Sequence, residues 1–310
     1  MIVVCGEALI DRIPSPTRAG GQGGGTDTPG GGPFTTARAL ARLGVPVQFL
    51  GHLSRDAFGK QLCDLLAADG ADLALTSVGP EPTTLAIVEV NATGHAAYRF
   101  VSDGSSAPNL TREMVPASFG PDVSALHVGT LGLVFEPIAN TIAALVDREH
   151  SQRLVMVDPN IRPTVVKGAA NYKARLDRII AQSTIIKASD ADIDWLFPGL
   201  DRMAAARSLL ARGPKLVVVT LGPEGAIGVT TSAEVRVPAP AVQVVDTIGA
   251  GDAFGAALLA WLYDHKRLSR DLRLEREELR QALEFACLVA SITCTRPGAD
   301  PPRRAELDRV

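Results

Sequence analysis

β-rich apolar runs alternate with amphipathic helical segments through the second half of the chain, and this alternation limits the possible folds more than any other feature. Strand candidates lie at residues 125–128, 154–158, 185–188 and 215–220, and the helix candidates between them lie at 138–149, 173–182 and 203–211. Such alternation is typical of parallel strands joined by crossover helices that cover both faces of one sheet. The sequence therefore predicts an α/β fold with a central, mostly parallel sheet between helices.

The N-terminal third predicts two further strands and a small β flap. Residues 2–4 and 47–53 are short apolar runs typical of buried strands. Residues 14–33 are rich in Gly, Pro, Ser and Thr, so we expect a loop there that leads into a helix. Two β-rich runs, 84–90 and 96–101, flank a hairpin-type turn. We interpret this hairpin as a flap on the main body.

The length of the chain fits either two small domains or one large α/β domain. It has 310 residues, and a domain typically holds roughly 150. Hydrophobic residues make up 46% and charged residues 21%, as in an ordinary globular protein with a sizeable core. We find no internal repeat and no interdomain linker, and we therefore expect residues 1–310 to form a single domain.

Charge and cysteine content argue against several classes of function. The formal net charge is −3, which gives no basic field for nucleic acid or a membrane surface, so we expect a small-molecule substrate. The four cysteines lack the spacing of a metal site, and we interpret them as reduced thiols. The N-terminus has no basic segment, and no apolar run approaches the ~18 residues of a membrane span. These features predict a cytoplasmic protein.

Residues 242–264 carry the pattern with the clearest chemistry. An apolar run at 242–245 predicts a strand, Gly249-Ala250-Gly251 predicts a tight turn, and a helix is expected from Asp252 to residue 264. The first amides of a helix have no partner within the helix, and glycines let an anion approach them closely. We therefore expect this turn to bind a phosphoryl group.

Asp252 is placed where a carboxylate can accept a proton from an attacking hydroxyl. The positive end of the helix dipole stabilises a carboxylate, so we expect Asp252 to be ionised at neutral pH. On this motif alone, a helix cap and a simple glycine turn stay open as the alternative. Other phosphate motifs are absent, because the chain has no G-x-x-x-x-G-K-[ST] and the spacing from Gly251 to Gly255 is one residue too long for the dinucleotide fingerprint.

Seven segments in the same order along nearly the whole chain resemble the ribokinase/fructokinase (PfkB-type) carbohydrate-kinase family. The most specific is Asp246-Thr247-Ile248-Gly249-Ala250-Gly251-Asp252, which resembles the C-terminal signature of the family. The others are Gly6-Glu7 with Asp11, Gly30-Gly31, Gly51 through Asp56 and Gly59, Asp158-Pro159-Asn160-Ile161-Arg162, Thr220-Leu221-Gly222, and Arg296-Pro297-Gly298-Ala299. An ordered set of this kind is far more specific than one motif.

The resemblance implies a ribokinase-like fold with a small β-sheet lid over the sugar, formed by residues 11–18 and 83–103. It also implies that Asp252 is the catalytic base. The amides of Gly249, Ala250 and Gly251 would form an anion hole for the transferring phosphoryl group. The implied sugar-binding residues are Asp11, Gly30, Gly31, Thr35 and Arg162, and the implied nucleotide-binding residues are Lys187, Thr220, Gly222 and Gly225.

The sequence departs from the family pattern at two positions. Thr35 stands where the family usually carries Asn, so a shorter hydroxyl replaces an amide that both donates and accepts. Asp192 stands where many members carry Glu, and the resemblance implies that it organises water around Mg²⁺. A monovalent cation, usually K⁺ in the family, would be held by backbone oxygens near Asp246, Ile248, Thr293, Arg296 and Gly298.

Fructose is the expected substrate. The runs Leu126-His127-Val128-Gly129-Thr130 and 158–163 look most like the fructokinase branch, which implies transfer of the γ-phosphoryl group of ATP to a primary hydroxyl, with Mg²⁺ bridging the phosphates. 2-Keto-3-deoxygluconate, ribose and nucleosides stay open as substrates. So does a non-catalytic sugar or nucleotide sensor, whereas an NAD-dependent dehydrogenase lacks its glycine fingerprint. The resemblance also implies a homodimer through the lid.

Overall fold

A computed structural model describes residues 1–14, 25–90, 96–166 and 168–307. Eight of the described strands form one large sheet, in the order β14-β13-β12-β11-β10-β9-β1-β4. Numbered along the chain, they are β1 (Ile2–Cys5), β4 (Val47–Leu50), β9 (Ala125–Gly129), β10 (Leu154–Asp158), β11 (Ile185–Ser189), β12 (Leu216–Thr220), β13 (Ala226–Val229) and β14 (Glu234–Val237). Six neighbouring strands of this sheet are parallel, namely β4, β1, β9, β10, β11 and β12. At the other edge, β13 and β14 pair in antiparallel fashion. The predicted central, mostly parallel sheet is confirmed.

Helices cover both faces of this sheet. Ile2 and Val4 belong to the core cluster on one face, and Val3 and Cys5 belong to the cluster on the other. All four are fully buried, as expected of a parallel strand that is covered on both sides. The described helices are α1 (Gly32–Arg42), α2 (Ala57–Asp69), α3 (Ile138–Glu149), α4 (Ala169–Gln182), α5 (Asp190–Leu196), α6 (Arg202–Leu210), α7 (Ala250–Asp264), α8 (Arg276–Cys294) and α9 (Arg304–Leu307).

A second, smaller sheet lies beside the main sheet. It consists of β2 (Leu9–Pro14), β3 (Gly25–Gly30), β7 (Leu85–Val90) and β8 (Ala96–Val101), in the order β3-β2-β7-β8. We call these four strands the lid sheet. They include the predicted hairpin, whereas residues 15–18 of the expected lid and the turn at 91–95 lie outside the described residues.

Two predictions for the N-terminal third are wrong in detail. The expected loop at 14–33 contains β3, which pairs with β2 although it holds two glycines and a proline. Such residues are tolerated because β3 is an edge strand. The expected strand at 47–53 is interrupted at Gly51, and its second part, β5 (His52–Ser54), pairs with β6 (Ser77–Gly79) in a separate two-stranded sheet.

The predicted strand at 242–245 is also wrong. These residues form no strand, and Val244 and Val245 are 58% and 60% exposed. The amide of Val245 donates instead to the carbonyl oxygen of Cys294, at the end of α8, over 2.8 Å. The apolar run therefore lies at the surface beside a cavity, and the helix after it begins at Ala250, two residues earlier than expected.

In the part of the chain that the structure describes, no helix is both long enough and apolar enough to cross a membrane.

Candidate active site

A cavity of about 810 Å³ is lined by residues that follow the carboxyl ends of the parallel strands, where ligands bind in open α/β sheets. Residues of the lid sheet line it as well. All the residues predicted for catalysis, sugar binding and nucleotide binding line this one cavity, namely Asp11, Gly30, Gly31, Thr35, Arg162, Lys187, Thr220, Gly222, Gly225, Gly249, Ala250, Gly251 and Asp252.

Gly249-Ala250-Gly251, which we call the anion turn, opens helix α7. Gly249 is the N-cap and has a left-handed backbone with φ of 76°. A Cβ atom at this position would lie 2.7 Å from the Cβ atom of Ala299 and 3.2 Å from the methyl group of Thr35. Glycine is therefore required at this position both by its conformation and by the close packing around it. The Ala250 amide donates to the Thr247 carbonyl oxygen over a long 3.3 Å. The amides at the start of α7 have no partner within the helix, and the three residues of the anion turn line the cavity, which suits an anion.

Lys187 adds a positive charge to this end of the cavity. Its ammonium group donates to Asp158 over 2.7 Å, and both side chains are buried. A Cβ atom at Gly251 would lie 3.0 Å from the Lys187 Nζ atom, so the lysine lies directly beside the anion turn. Burial opposes the charge, but Asp158 holds the pKa of Lys187 above its usual value. The anion turn and this cation together favour a phosphoryl group.

Asp252 occupies the third position of α7, and its carboxylate faces the cavity. Burial raises its pKa to about 7, and Asp158 adds to the rise, while Lys187 and Arg162 oppose it. The sequence predicts an ionised Asp252 at neutral pH. With a pKa near 7 the ionised and protonated forms coexist there in the ligand-free protein, because burial opposes the stabilisation by the helix dipole. A pKa near 7 suits a general base, which must gain and lose a proton readily near neutral pH.

The lid end of the cavity holds a second carboxylate. Asp11 lies over the backbone of Gly30, where a Cβ atom would approach its Oδ2 atom to 2.1 Å. At Gly31, with φ of 106°, a Cβ atom would lie 2.8 Å from the Glu7 carbonyl oxygen. Burial raises the pKa of Asp11 to about 6, and the charge of Arg162 opposes the rise. The glycine backbone at this end, the Asp11 carboxylate and the Arg162 guanidinium can all form hydrogen bonds with a ligand rich in hydroxyl groups.

Glu7 and Thr130 also line the cavity, although neither was among the predicted site residues. The Thr130 hydroxyl donates to the Glu7 carboxylate, which also accepts from the Gly132 amide over 3.0 Å. Burial raises the pKa of Glu7 to about 7, and the hydrogen bond from Thr130 opposes the rise. A positional signal existed, because Glu7 lies two residues after β1 and Thr130 directly follows β9, and these two strands are neighbours in the sheet.

The opposite end of the cavity is more apolar. Thr220 ends β12, and Gly222 and Gly225 follow it with φ of 56° and 94°. Helix α8 and the chain before α7 contribute lining residues that the sequence did not predict, namely Ala239, Val244, Cys287, Ala290, Ser291 and Cys294. We call the part of the cavity lined by these small, mostly apolar side chains the apolar slot. The four cysteines are free thiols, of which Cys5 and Cys287 are buried and Cys63 and Cys294 are only partly buried.

Hydrogen bonds to Asp246 link the chain just before the anion turn to the Gly298 segment, where a monovalent cation was predicted to bind. One carboxylate oxygen accepts from the Ile248 amide over 3.0 Å, and the other accepts from the Gly298 amide over 2.9 Å. The Thr293 hydroxyl donates to a carbonyl of its own helix, and Arg296 pairs with Glu306 over 2.5 Å. Of these predicted residues, only Ile248 lines the cavity. Arg296 has no side-chain oxygen and could offer a cation only its backbone carbonyl.

Asp192 lies behind the cavity wall rather than in it. Its carboxylate accepts from the Ile161 amide over 2.6 Å and from the Ser189 amide over 2.7 Å, so it caps α5 and anchors the chain after β10. Direct coordination of a metal would compete with these bonds. Among the described residues, no cluster of His, Cys, Asp and Glu holds three or more groups that could ligate a metal.

The sequence profile of the family described as "pfkB family carbohydrate kinase" matches residues 1–305. The chain belongs to this family. A curated relative, a fructokinase of Rhizobium leguminosarum bv. trifolii, is 42% identical over 262 residues, which cover 84% of this chain and 79% of the relative. Membership in the carbohydrate kinases confirms the resemblance seen in the sequence and sets aside the dehydrogenase alternative.

Solved structures of this family share the fold over almost the whole chain. The fructokinase of Xylella fastidiosa with bound ATP has a TM-score of 0.90 at 27% identity, covering 99% of this chain and 97% of that one. A Vibrio cholerae O395 fructokinase with fructose, ADP and calcium has a TM-score of 0.85 at 26% identity over the same shares. A double mutant of that protein holds fructose, ADP and potassium. The predicted ribokinase-like fold is thereby confirmed.

Proposed function

We propose that this carbohydrate kinase is a fructokinase, which transfers the γ-phosphoryl group of ATP to a primary hydroxyl of fructose. The observation that carries the proposal is the position of Asp252, which lines one cavity together with the anion turn and Asp11. The fructokinase names of the relatives, and the ATP, ADP and fructose in their structures, support this substrate pair.

In the proposed reaction, Asp252 accepts the proton of the sugar hydroxyl while the hydroxyl oxygen forms a bond to the γ-phosphorus. The bond between that phosphorus and the bridging oxygen of ATP breaks, and ADP leaves. Negative charge on the transferring group faces the amides of the anion turn and the ammonium group of Lys187. The chain therefore supplies a base and a preorganised positive site on opposite sides of the reacting oxygen.

The sugar would lie between the lid sheet and α1. Asp11 accepts hydrogen bonds from sugar hydroxyls, Arg162 donates to sugar oxygens, and Gly30 and Gly31 let the ring approach the backbone. Thr35 offers a hydroxyl that both donates and accepts. The nucleotide would extend in the other direction, past Thr220, Gly222 and Gly225, with its base in the apolar slot.

Two ions complete the proposal. Magnesium on the ATP phosphates would neutralise part of their charge. The predicted role of Asp192 in ordering water around this ion remains a prediction, since its oxygens accept the Ile161 and Ser189 amides behind the cavity wall. Potassium suits the oxygen donors around Asp246, whose carboxylate fixes the Gly298 segment next to the anion turn. A cytoplasmic location, a single domain and a homodimer through the lid sheet remain predictions.

Release of ADP over a panel of sugars tests the proposal. The panel contains fructose, 2-keto-3-deoxygluconate, ribose and nucleosides, with Mg²⁺ and K⁺ present and Na⁺ replacing K⁺ in parallel. We expect the highest kcat/KM with fructose and a loss of at least ~100-fold in Asp252→Asn, which lacks the base. Binding of ATP by both proteins is the control. Binding without turnover of any sugar would favour a non-catalytic sensor instead.

A further inference from the structure

Glu7 and Thr130 make a buried contact that the proposed reaction does not use. Glu7 follows β1 and is only 3% exposed. Its Oε1 atom accepts from the Thr130 hydroxyl, and its Oε2 atom accepts from the Gly132 amide over 3.0 Å. Both oxygens of the carboxylate thus hold the short 3₁₀ turn Thr130–Leu133, which follows β9.

Thr130 needs this support because its backbone is strained. Its φ is 54°, in the left-handed region that β-branched residues rarely adopt. Such a backbone persists only where the surrounding structure holds it in place. Glu7 bonds the turn on both sides of Leu131, at the Thr130 side chain and at the Gly132 amide, and so keeps the strained residue in position.

The strained conformation places the Thr130 side chain opposite Asp252. A Cβ atom on Gly32 would lie 2.4 Å from the methyl carbon of Thr130 and 3.0 Å from the Oδ1 atom of Asp252. Thr130 and the catalytic carboxylate therefore border the same narrow space over Gly32. The next residue, Leu131, packs with Leu9 and Ala86 beneath the lid sheet, so the turn supports the sugar end of the cavity as well.

We propose that Glu7 is a positioning residue of the sugar site that acts through Thr130, whose side chain sets the approach of the sugar hydroxyl to Asp252. This inference rests on the proposed fructokinase function and adds a determinant of sugar specificity to it. The contact lies at the sugar end of the cavity, away from Thr220 and Gly222. It therefore affects the use of fructose and leaves the affinity for ATP unchanged.

The test replaces Thr130 with Val, which keeps the shape of the side chain and removes the hydroxyl that Glu7 binds. We expect kcat/KM for fructose to fall about 10- to 100-fold while KM for ATP stays within about twofold, since one buried hydrogen bond to a charged group is lost. Thr130→Ser keeps the hydroxyl and should recover most of the activity. Thr184→Val is the matched control, because that buried hydroxyl accepts from the Val155 amide at the opposite, amino-terminal edge of the sheet.

A double-mutant cycle decides whether Glu7 acts through Thr130. Glu7→Leu removes both acceptor oxygens and should lose at least as much fructose activity as Thr130→Val. The loss in the double variant should be smaller than the sum of the two single losses, because both changes remove the hydrogen bond between Glu7 and Thr130. Any of three results would overturn the inference. The losses of the two single variants could add up in the double variant, Thr130→Val could use fructose as well as the wild type, or KM for ATP could rise in the variants as much as the fructose activity falls. Failure of the wild type to use fructose would overturn only the proposed function, and the same cycle would then run on the sugar that the panel identifies.

Discussion

The pKa of a single residue, Asp252, sets the expected pH dependence of the enzyme. Burial raises this pKa to about 7 and that of Asp11 to about 6. The base must be deprotonated to act, so kcat/KM for the sugar should decline as the pH falls below about 7. Below about pH 6 the decline should steepen, because Asp11 also takes up a proton and accepts sugar hydroxyls less well.

Initial rates between pH 5 and 9 measure this profile, and circular dichroism confirms that the protein stays folded over the range. A constant kcat/KM from pH 8 down to pH 5.5 would contradict the assignment of Asp252 as the base. Asp252 and Asp11 share the cavity with Glu7, whose pKa burial also raises to about 7, so the profile reports apparent values of the coupled groups rather than of any one residue.

At the scale of single residues, the sequence predicted one kind of site residue and missed another. Asp252 and the anion turn were found because their chemistry lies in consecutive residues. The contact between Thr130 and Glu7 joins residues 123 positions apart, and no local pattern announces it. The raised pKa of Asp252 was missed for a related reason, since burial by distant parts of the chain outweighs the local helix dipole.

At the scale of elements, the left-handed start of α7 is the part of the site most sensitive to a small change. We predict that Gly249→Ala lowers kcat by about 100-fold or more, as expected when a preorganised amide leaves its place. The added Cβ atom would lie 2.7 Å from Ala299, so the anion turn has to shift. Steady-state kinetics with saturating ATP and sugar measure the effect.

Gly44→Ala is the control for this prediction. Gly44 has φ of 78°, close to the 76° of Gly249, and a Cβ atom there meets nothing within 4 Å. Both variants place alanine in a left-handed backbone at a cost of about 1–2 kcal/mol, but only Gly249→Ala disturbs the anion turn. Equal losses of activity in the two variants would show that backbone strain, not the position of the turn, explains the effect.

Elements with a regular pattern were predicted well, and those shaped by distant contacts were not. The helix at 138–149 has the expected bounds because its apolar stripe is continuous. The run at 242–245 is also apolar, but it pairs with no described strand, and its residue Val244 lines the cavity. The role of the segment from Gly51 to Gly59 is visible only in the structure. Asp56 caps α2 and also accepts from the Thr83 amide over 2.8 Å, just before lid strand β7.

At the scale of the whole molecule, one buried carboxylate connects both ends of the chain to the site. Asp69, at the end of α2, accepts from Arg38 over 2.7 Å and from Arg303 over 2.9 Å, and it forms an ion pair with Arg42 over 2.8 Å. Arg38 also donates to the carbonyl oxygen of Ala299 over 3.3 Å, and Ala299 packs against Gly249. The N-terminal helices, the C-terminal segment and the anion turn therefore share one network.

We predict that Asp69→Asn lowers the free energy of unfolding by about 3–5 kcal/mol, because it leaves the buried Arg38 guanidinium without its counter-charge, whereas Arg42 still pairs with Asp300. Denaturant unfolding followed by circular dichroism measures the change. Asp64→Asn is the matched control, since Asp64 also lies on α2 but pairs with Lys60 at the surface, where the two side chains are 64% and 74% exposed. Exposed pairs contribute little, so this variant should unfold like the wild type. Equal free energies of unfolding in the two variants would contradict the prediction, because the buried Asp69 network would then contribute no more stability than the exposed pair.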